Sequence, residues 1–107
     1  MKMIFNAKKG ITILLLCLVG NLVAQVKMPT YFSNNMVLQK GIELPVWGWA
    51  SPGEKVTVSI DKSTVSTKAT KEGKWMVKLP SMNYGGPYQL NIQGKTSLSF
   101  ENVLIGE

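Results

Sequence analysis

From Gln25 onward, apolar and polar side chains alternate with a period of two, in short runs separated by clusters of Gly, Pro, Ser, Asp and Asn. Successive side chains leave opposite faces of a strand, so this period predicts β-structure, and no stripe at helical spacing competes with it. Residues 55–60 place Val56, Val58 and Ile60 on one face and Lys55, Thr57 and Ser59 on the other, the pattern of a half-buried strand. Residues 74–79 do the same with Trp75, Val77 and Leu79, and residues 88–93 with Tyr88, Leu90 and Ile92. Residues 44–50 put Trp47 and Trp49 on one face and Val46, Gly48 and Ala50 on the other, with Pro45 restricting that strand to a start or an edge. The Ser/Thr-rich run 63–70 has little apolar content and predicts an edge strand. A short strand at 36–38 and a last one carrying Leu98 and Phe100 bring the number to about seven.

The breaks between the runs have turn chemistry. Ser51-Pro52-Gly53-Glu54 has Pro and Gly at the central positions of a type II turn. Asp61-Lys62 turns the chain, Lys71-Glu72-Gly73 reads as a hairpin loop, and Gly94-Lys95 fits a two-residue turn with Gly first. The stretch 80–87, with Met82, Tyr84, Gly85 and Gly86, reads as a longer, irregular loop. The expected fold class is therefore all-β: a small antiparallel two-sheet sandwich, immunoglobulin-like. Val103, Leu104 and Ile105 either close this domain as a further strand or lead into another one.

The first 24 residues do not follow the pattern. Lys2, Lys8 and Lys9 precede an apolar run from Ile11 to Val19, and the small residue Ala24 precedes Gln25, the layout of a secretory signal peptide. The run falls short of the ~20 apolar residues of a membrane span, so no stable span is expected. A lipid anchor at Cys17 is the weaker alternative, because the bulky Leu16 stands where a small residue is needed. The expected organisation is a signal peptide at 1–24 and a sandwich at 25–107, exported to the periplasm or the extracellular space.

Composition narrows the function. The 107 residues hold 12 Lys, no Arg, six acids, no His and one Cys. Removing residues 1–24 leaves nine lysines against six acids, a net charge of +3, and no cysteine. Disulfides are thereby excluded, and a packed core must hold the sandwich. Without Arg forks or a basic cluster, nucleic-acid binding is not expected. Without His there is no Ser-His-Asp or Cys-His pair and no imidazole metal ligand, so no catalytic residue, metal site or cofactor site is assigned. Glu54 and Asp61 lie near successive turns and read as solvated charges rather than a converging acid and base. The serines have no base to activate them and read as turn and outer-face residues.

Trp47, Trp49, Trp75, Tyr31, Tyr84 and Tyr88 could offer flat faces to sugar rings, but Trp75 and Tyr88 share faces with aliphatic residues and read as core. Trp47, Trp49 and Tyr84 remain as candidates for a contact with another domain or with a glycan, Tyr84 being the best placed for exposure because it lies in the Gly-rich loop. Of the tryptophan pair, one is expected to turn inward at a rim and the other to pack against a neighbouring domain.

Three blocks of the chain resemble the N-terminal region of the bacterial sialate O-acetylesterase family. They are Phe32-Ser33-Asn34-Asn35-Met36-Val37-Leu38-Gln39, then Pro45-Val46-Trp47-Gly48-Trp49-Ala50 with Pro52-Gly53-Glu54, then Asn102-Val103-Leu104-Ile105-Gly106-Glu107. Gly73-Lys74-Trp75 and Gly85-Gly86-Pro87-Tyr88 agree in order and spacing, and Asn34 departs from the Asp expected there. The resemblance implies an SGNH-type esterase that removes acetyl groups from sialic acids on O-acetylated sialoglycans. It also implies that the nucleophilic serine lies in a Gly-Gln-Ser-Asn block just beyond Glu107. On that expectation the chain is an accessory sandwich whose partner is a catalytic domain downstream, and it is inactive alone. The rival expectation is a free-standing exported carbohydrate-binding sandwich.

Overall fold

The computed structural model describes residues 25–107, and the signal-peptide reading of residues 1–24 lies outside them. The described chain forms seven strands: β1 (Val37–Gln39), β2 (Leu44–Trp49), β3 (Lys55–Ile60), β4 (Ser63–Lys68), β5 (Lys74–Leu79), β6 (Gly85–Gln93) and β7 (Ser97–Gly106). Five build one sheet in the order β1-β7-β6-β3-β4, and β2 pairs with β5 in a second sheet. The residues read as inward in β3, β5 and β6 fill the space between the sheets, joined by Val103 and by Leu44 and Val46 of β2, so that neither tryptophan of β2 is the inward one. Val56, Val58, Ile60, Leu90, Ile92 and Val103 from the large sheet meet Leu44, Val46, Trp75, Val77 and Leu79 from the small one. Each such aliphatic side chain taken fully out of water contributes about 1.5–3 kcal/mol, which is what closes a sandwich that has no disulfide.

The Ser/Thr-rich β4 lies at an edge of the large sheet, as its lack of apolar side chains predicts. The turn at Ser51–Glu54 also has the expected form: Gly53 takes φ +76° and the Glu54 N–H donates to the Ser51 carbonyl at 3.0 Å.

Four local expectations change. The sandwich is not wholly antiparallel, because β1 runs parallel to β7, with Val37 opposite Leu104 and Gln39 opposite Gly106. These are the first and last strands, so no short connection dictates their relative direction. Residues 71–73 do not join a hairpin; there the chain leaves the large sheet and enters the small one. Alternation is the same in both sheets, so this crossing leaves no mark in the sequence. The irregular stretch ends at Tyr84, and Gly85, Gly86 and Pro87 already belong to β6, whose register with β7 shifts around Tyr88. Finally, the β6–β7 loop spans three residues, since Gln93 pairs with Ser97, and Gly94 is not in the left-handed region. A Cβ at Gly94 would collide with the Glu54 carboxylate and with Val26, so close approach is what requires glycine there. Val103 and Ile105 are buried in the second half of β7, as part of the same long strand that carries Leu98 and Phe100.

Candidate functional site

Three places on the sandwich have side chains that packing of the core does not explain. The first is the outer face of β2 and β5. Cross-strand partners in an antiparallel pair project to the same side. Trp47 therefore stands beside Met76, Trp49 beside Lys74, and Pro45 beside Lys78. Lys27 extends the row, because its N–H and carbonyl exchange hydrogen bonds with those of Trp49 at 2.9 and 2.8 Å. Gly48, on the inner side, has no room for a Cβ because the Lys27 carbonyl and the Trp75 ring occupy that space.

Trp47 is half-buried and held from two directions. Tyr31 stacks on it at 5.7 Å with 29° between planes, and Phe32 meets it edge-on at 4.9 Å. Trp49 is 43% exposed and Met76 54%. Trp47, Trp49, Met76, Thr70 and Lys74 line a shallow cleft of about 360 Å³ together with Gly48 and Trp75. Trp75 Nε1 is buried and has no hydrogen-bond partner among the described residues.

The second place is the corner at Tyr84, 61% exposed. Its hydroxyl donates to Glu107 Oε1 at 2.7 Å, and Lys40 Nζ lies 4.2 Å from the ring centroid and 3.2 Å from the same carboxylate oxygen. The Tyr84 hydrogen bond, followed by that from Lys40, holds the Glu107 carboxyl below its ordinary pKa. Val37 and Leu104, paired across β1 and β7, are exposed on the outer side of the sheet whose ends these residues flank.

The structure does not bring Tyr84 together with the two tryptophans. Trp49 and Lys74 form one end of the small sheet, and Leu44 and Leu79 the other, beyond which the chain runs on to Tyr84. Five residues of strand separate the ends, about 17 Å.

The third place corrects the reading of Glu54. It is not a solvated turn charge but only 6% exposed, and its carboxylate accepts from the Ser51 N–H at 3.0 Å and from the Lys95 N–H at 2.6 Å. Burial pushes this carboxyl up, but the two backbone N–H groups and the Lys95 charge outweigh that and hold it below its ordinary value. The Thr96 hydroxyl, in the same loop, accepts from the Val26 N–H at 3.1 Å. Glu54 thus anchors the β6–β7 loop to the β2–β3 turn. Asp61 is exposed at the far end of β3, about 20 Å of strand away, so the two carboxylates do not converge.

No trio of His, Cys, Asp and Glu suited to a metal occurs among the described residues. Sequence reading included Tyr31 among the aromatics able to face a sugar, but overlooked Met76 and the lysines around the tryptophans. The signal for Lys74, Met76 and Lys78 was present, because they occupy the alternate positions of a strand whose inward residues were evident. Lys27 had none, and neither did the stacking of Tyr31 on Trp47, since both residues lie outside any strand.

No family profile matches the chain. Against curated proteins it is similar to sialate O-acetylesterases: 37% identical over 94 residues to that of Homo sapiens, and 35% and 33% over 93 residues to those of Pongo abelii and Mus musculus. The matches span 76% of this chain but less than a fifth of the relatives, 18%, 18% and 17% of their respective lengths. Among solved structures it is similar to a carbohydrate acetylesterase from Xanthomonas citri, with 38% identity and a TM-score of 0.76 over 78% of this chain and 19% of that one. The resemblance carried by the Asn35-Met36-Val37-Leu38, Trp47-Gly48-Trp49 and Leu104-Ile105-Gly106-Glu107 blocks therefore extends over most of the described sandwich, in sequence and in fold.

Proposed function

We propose that, as a segment of an enzyme like the sialate O-acetylesterases, this sandwich is the N-terminal accessory domain of an exported carbohydrate esterase, with residues 1–24 as its signal peptide and residues 25–107 as the domain. The parent enzyme hydrolyses acetyl esters on sialic acids, and the serine nucleophile and its base lie in the part of the relatives' length that this chain does not span. The observation that carries this reading is the joint match of sequence and fold, at 37–38% identity, to less than a fifth of proteins named as acetylesterases. The residues agree with it: with no histidine in the chain, none of its serines has the general base that acyl transfer requires.

The domain's own task in this reading is to pack against and orient the catalytic part. The Tyr84 corner suits that task. Tyr84, Val37 and Leu104 offer exposed apolar surface, and Lys40 and Glu107 fix the phenol ring in place.

The coding sequence after the Glu107 codon, read in all three frames, should give within a few residues a Gly-Gln-Ser-Asn-like block, with the Asp and His of a triad far downstream. A protein extended through that region should hydrolyse O-acetylated sialic acid, and Ser→Ala in the block should abolish this. A stop codon with no such block in any frame would contradict the proposal.

A further inference from the structure

We propose that the outer face of β2 and β5 is a binding site for a carboxylate-bearing sugar, a pyranose that lies on Trp49 and Met76 while its carboxylate meets the lysines around them. Three observations carry the assignment. The first is shape. The cleft is about 360 Å³, within the ~300–1,000 Å³ of small-molecule sites and suited to one or two sugar rings.

The second is a rigid, exposed aromatic surface. Tyr31 and Phe32 fix Trp47, so it lines the cleft in one orientation, and Trp49 beside it exposes 43% of its surface. An indole presents a flat apolar face to the C–H side of a pyranose and loses little side-chain entropy in doing so.

The third is charge. Lys27 and Lys74 flank Trp49 in one row, and Lys78 projects from the same face two residues beyond Met76. No carboxylate occupies an outward position of either strand: those positions are Pro45, Trp47, Trp49, Lys74, Met76 and Lys78. Glu43 and Glu72 lie in the loops that precede the two strands. A face with cations at its margins and no anion among them is complementary to an anionic ligand and discriminates against a neutral one.

Sugar binding here does not require the parent enzyme, so its failure and the failure of the esterase reading are separate results. The test is calorimetric titration of the full chain with three probes: the methyl α-glycoside of N-acetylneuraminic acid, a galacturonic acid dimer and methyl β-galactoside. The expected result is saturable binding of at least one acidic probe, with a dissociation constant on the order of 1 mM and at least tenfold preference over the neutral galactoside. The stronger of the two acidic probes identifies the sugar as a sialic or a uronic acid. Binding should weaken severalfold as salt is raised to about 0.5 M. Trp49→Ala and Lys74→Glu should each weaken it at least tenfold with the thermal transition kept, and Tyr84→Ala should leave it unchanged. Equal affinity for the neutral galactoside would overturn the proposal, as would binding that survives both Trp49→Ala and Lys74→Glu. So would failure of both acidic probes to saturate, including the case in which the chain instead binds a polyglutamate peptide.

Discussion

β2 and β5 present two faces drawn from alternating positions of the same two strands, and the faces have opposite chemistry. The inner one, Leu44, Val46, Trp75, Val77 and Leu79, is almost completely excluded from water. The outer one keeps the Trp49 indole and the Met76 thioether against solvent, beside the half-buried Trp47 and among three lysines. Strand formation alone does not ask for this. β4 satisfies the same backbone geometry with Thr64, Ser66 and Lys68 on its exposed side. Folding thus accounts for the inner face, and the outer one needs a ligand or a partner to explain it.

Truncating the inner face should produce the largest effect. Leu79→Ala, and Leu90→Ala in β6 across the core from that face, at positions with no exposed surface, should each cost about 2–5 kcal/mol of stability in urea unfolding, which brings a sandwich of this size near to collapse. If either costs no more than an outer-face substitution, the contrast between the faces does not exist.

The Glu54 corner should come next. Glu54→Ala leaves the Ser51 and Lys95 N–H groups without their acceptor and should cost about 1–3 kcal/mol. Gly94→Ala should destabilise comparably, about 1–3 kcal/mol, although Gly94 is not left-handed, because the new methyl would displace the Glu54 carboxylate. The pH dependence has a definite sign. The folded-state pKa of Glu54 lies below the ordinary 4.5, so its contribution is complete above that value and is lost as pH falls through 4.5 and then through the folded value. Glu54→Gln should flatten the stability profile in that acidic window and leave its slope near neutrality unchanged. An unaltered acid limb would contradict the buried-anchor account.

These two regions also mark how far the sequence could be read. All seven strands and the inward residues of β3, β5 and β6 follow from period two, because the core imposes one alternation on every strand it touches. The Glu54 anchor was not legible, since its partner Lys95 is 41 residues away and a Ser-Pro-Gly-Glu turn reads the same whether its acid is solvated or buried. Likewise, nothing local shows that β5 joins the opposite sheet from β4, or that Tyr31 returns to stack on Trp47. The tryptophans and Tyr84 were legible as candidates; that they lie at separate sites was not.

The outer face should respond least in stability and most in binding. Met76→Ala and Trp49→Ala should shift stability by roughly 0.5 kcal/mol or less, as solvent-facing substitutions do. A loss comparable to that of Leu79→Ala would make these side chains part of the fold and remove the case for a site.

The division of surfaces is the central claim: the Tyr84 corner for the catalytic part, and the Trp49 and Met76 face left open for a sugar. Hydroxyl-radical footprinting, with mass-spectrometric readout, compares this chain with the protein extended through its downstream coding sequence. Tyr84 and Leu104 should become protected in the extended protein, while Trp49 and Met76 keep the reactivity they have in the chain alone. Protection of Trp49 and Met76 with Tyr84 still reactive would reverse the assignment of the two surfaces and contradict the account.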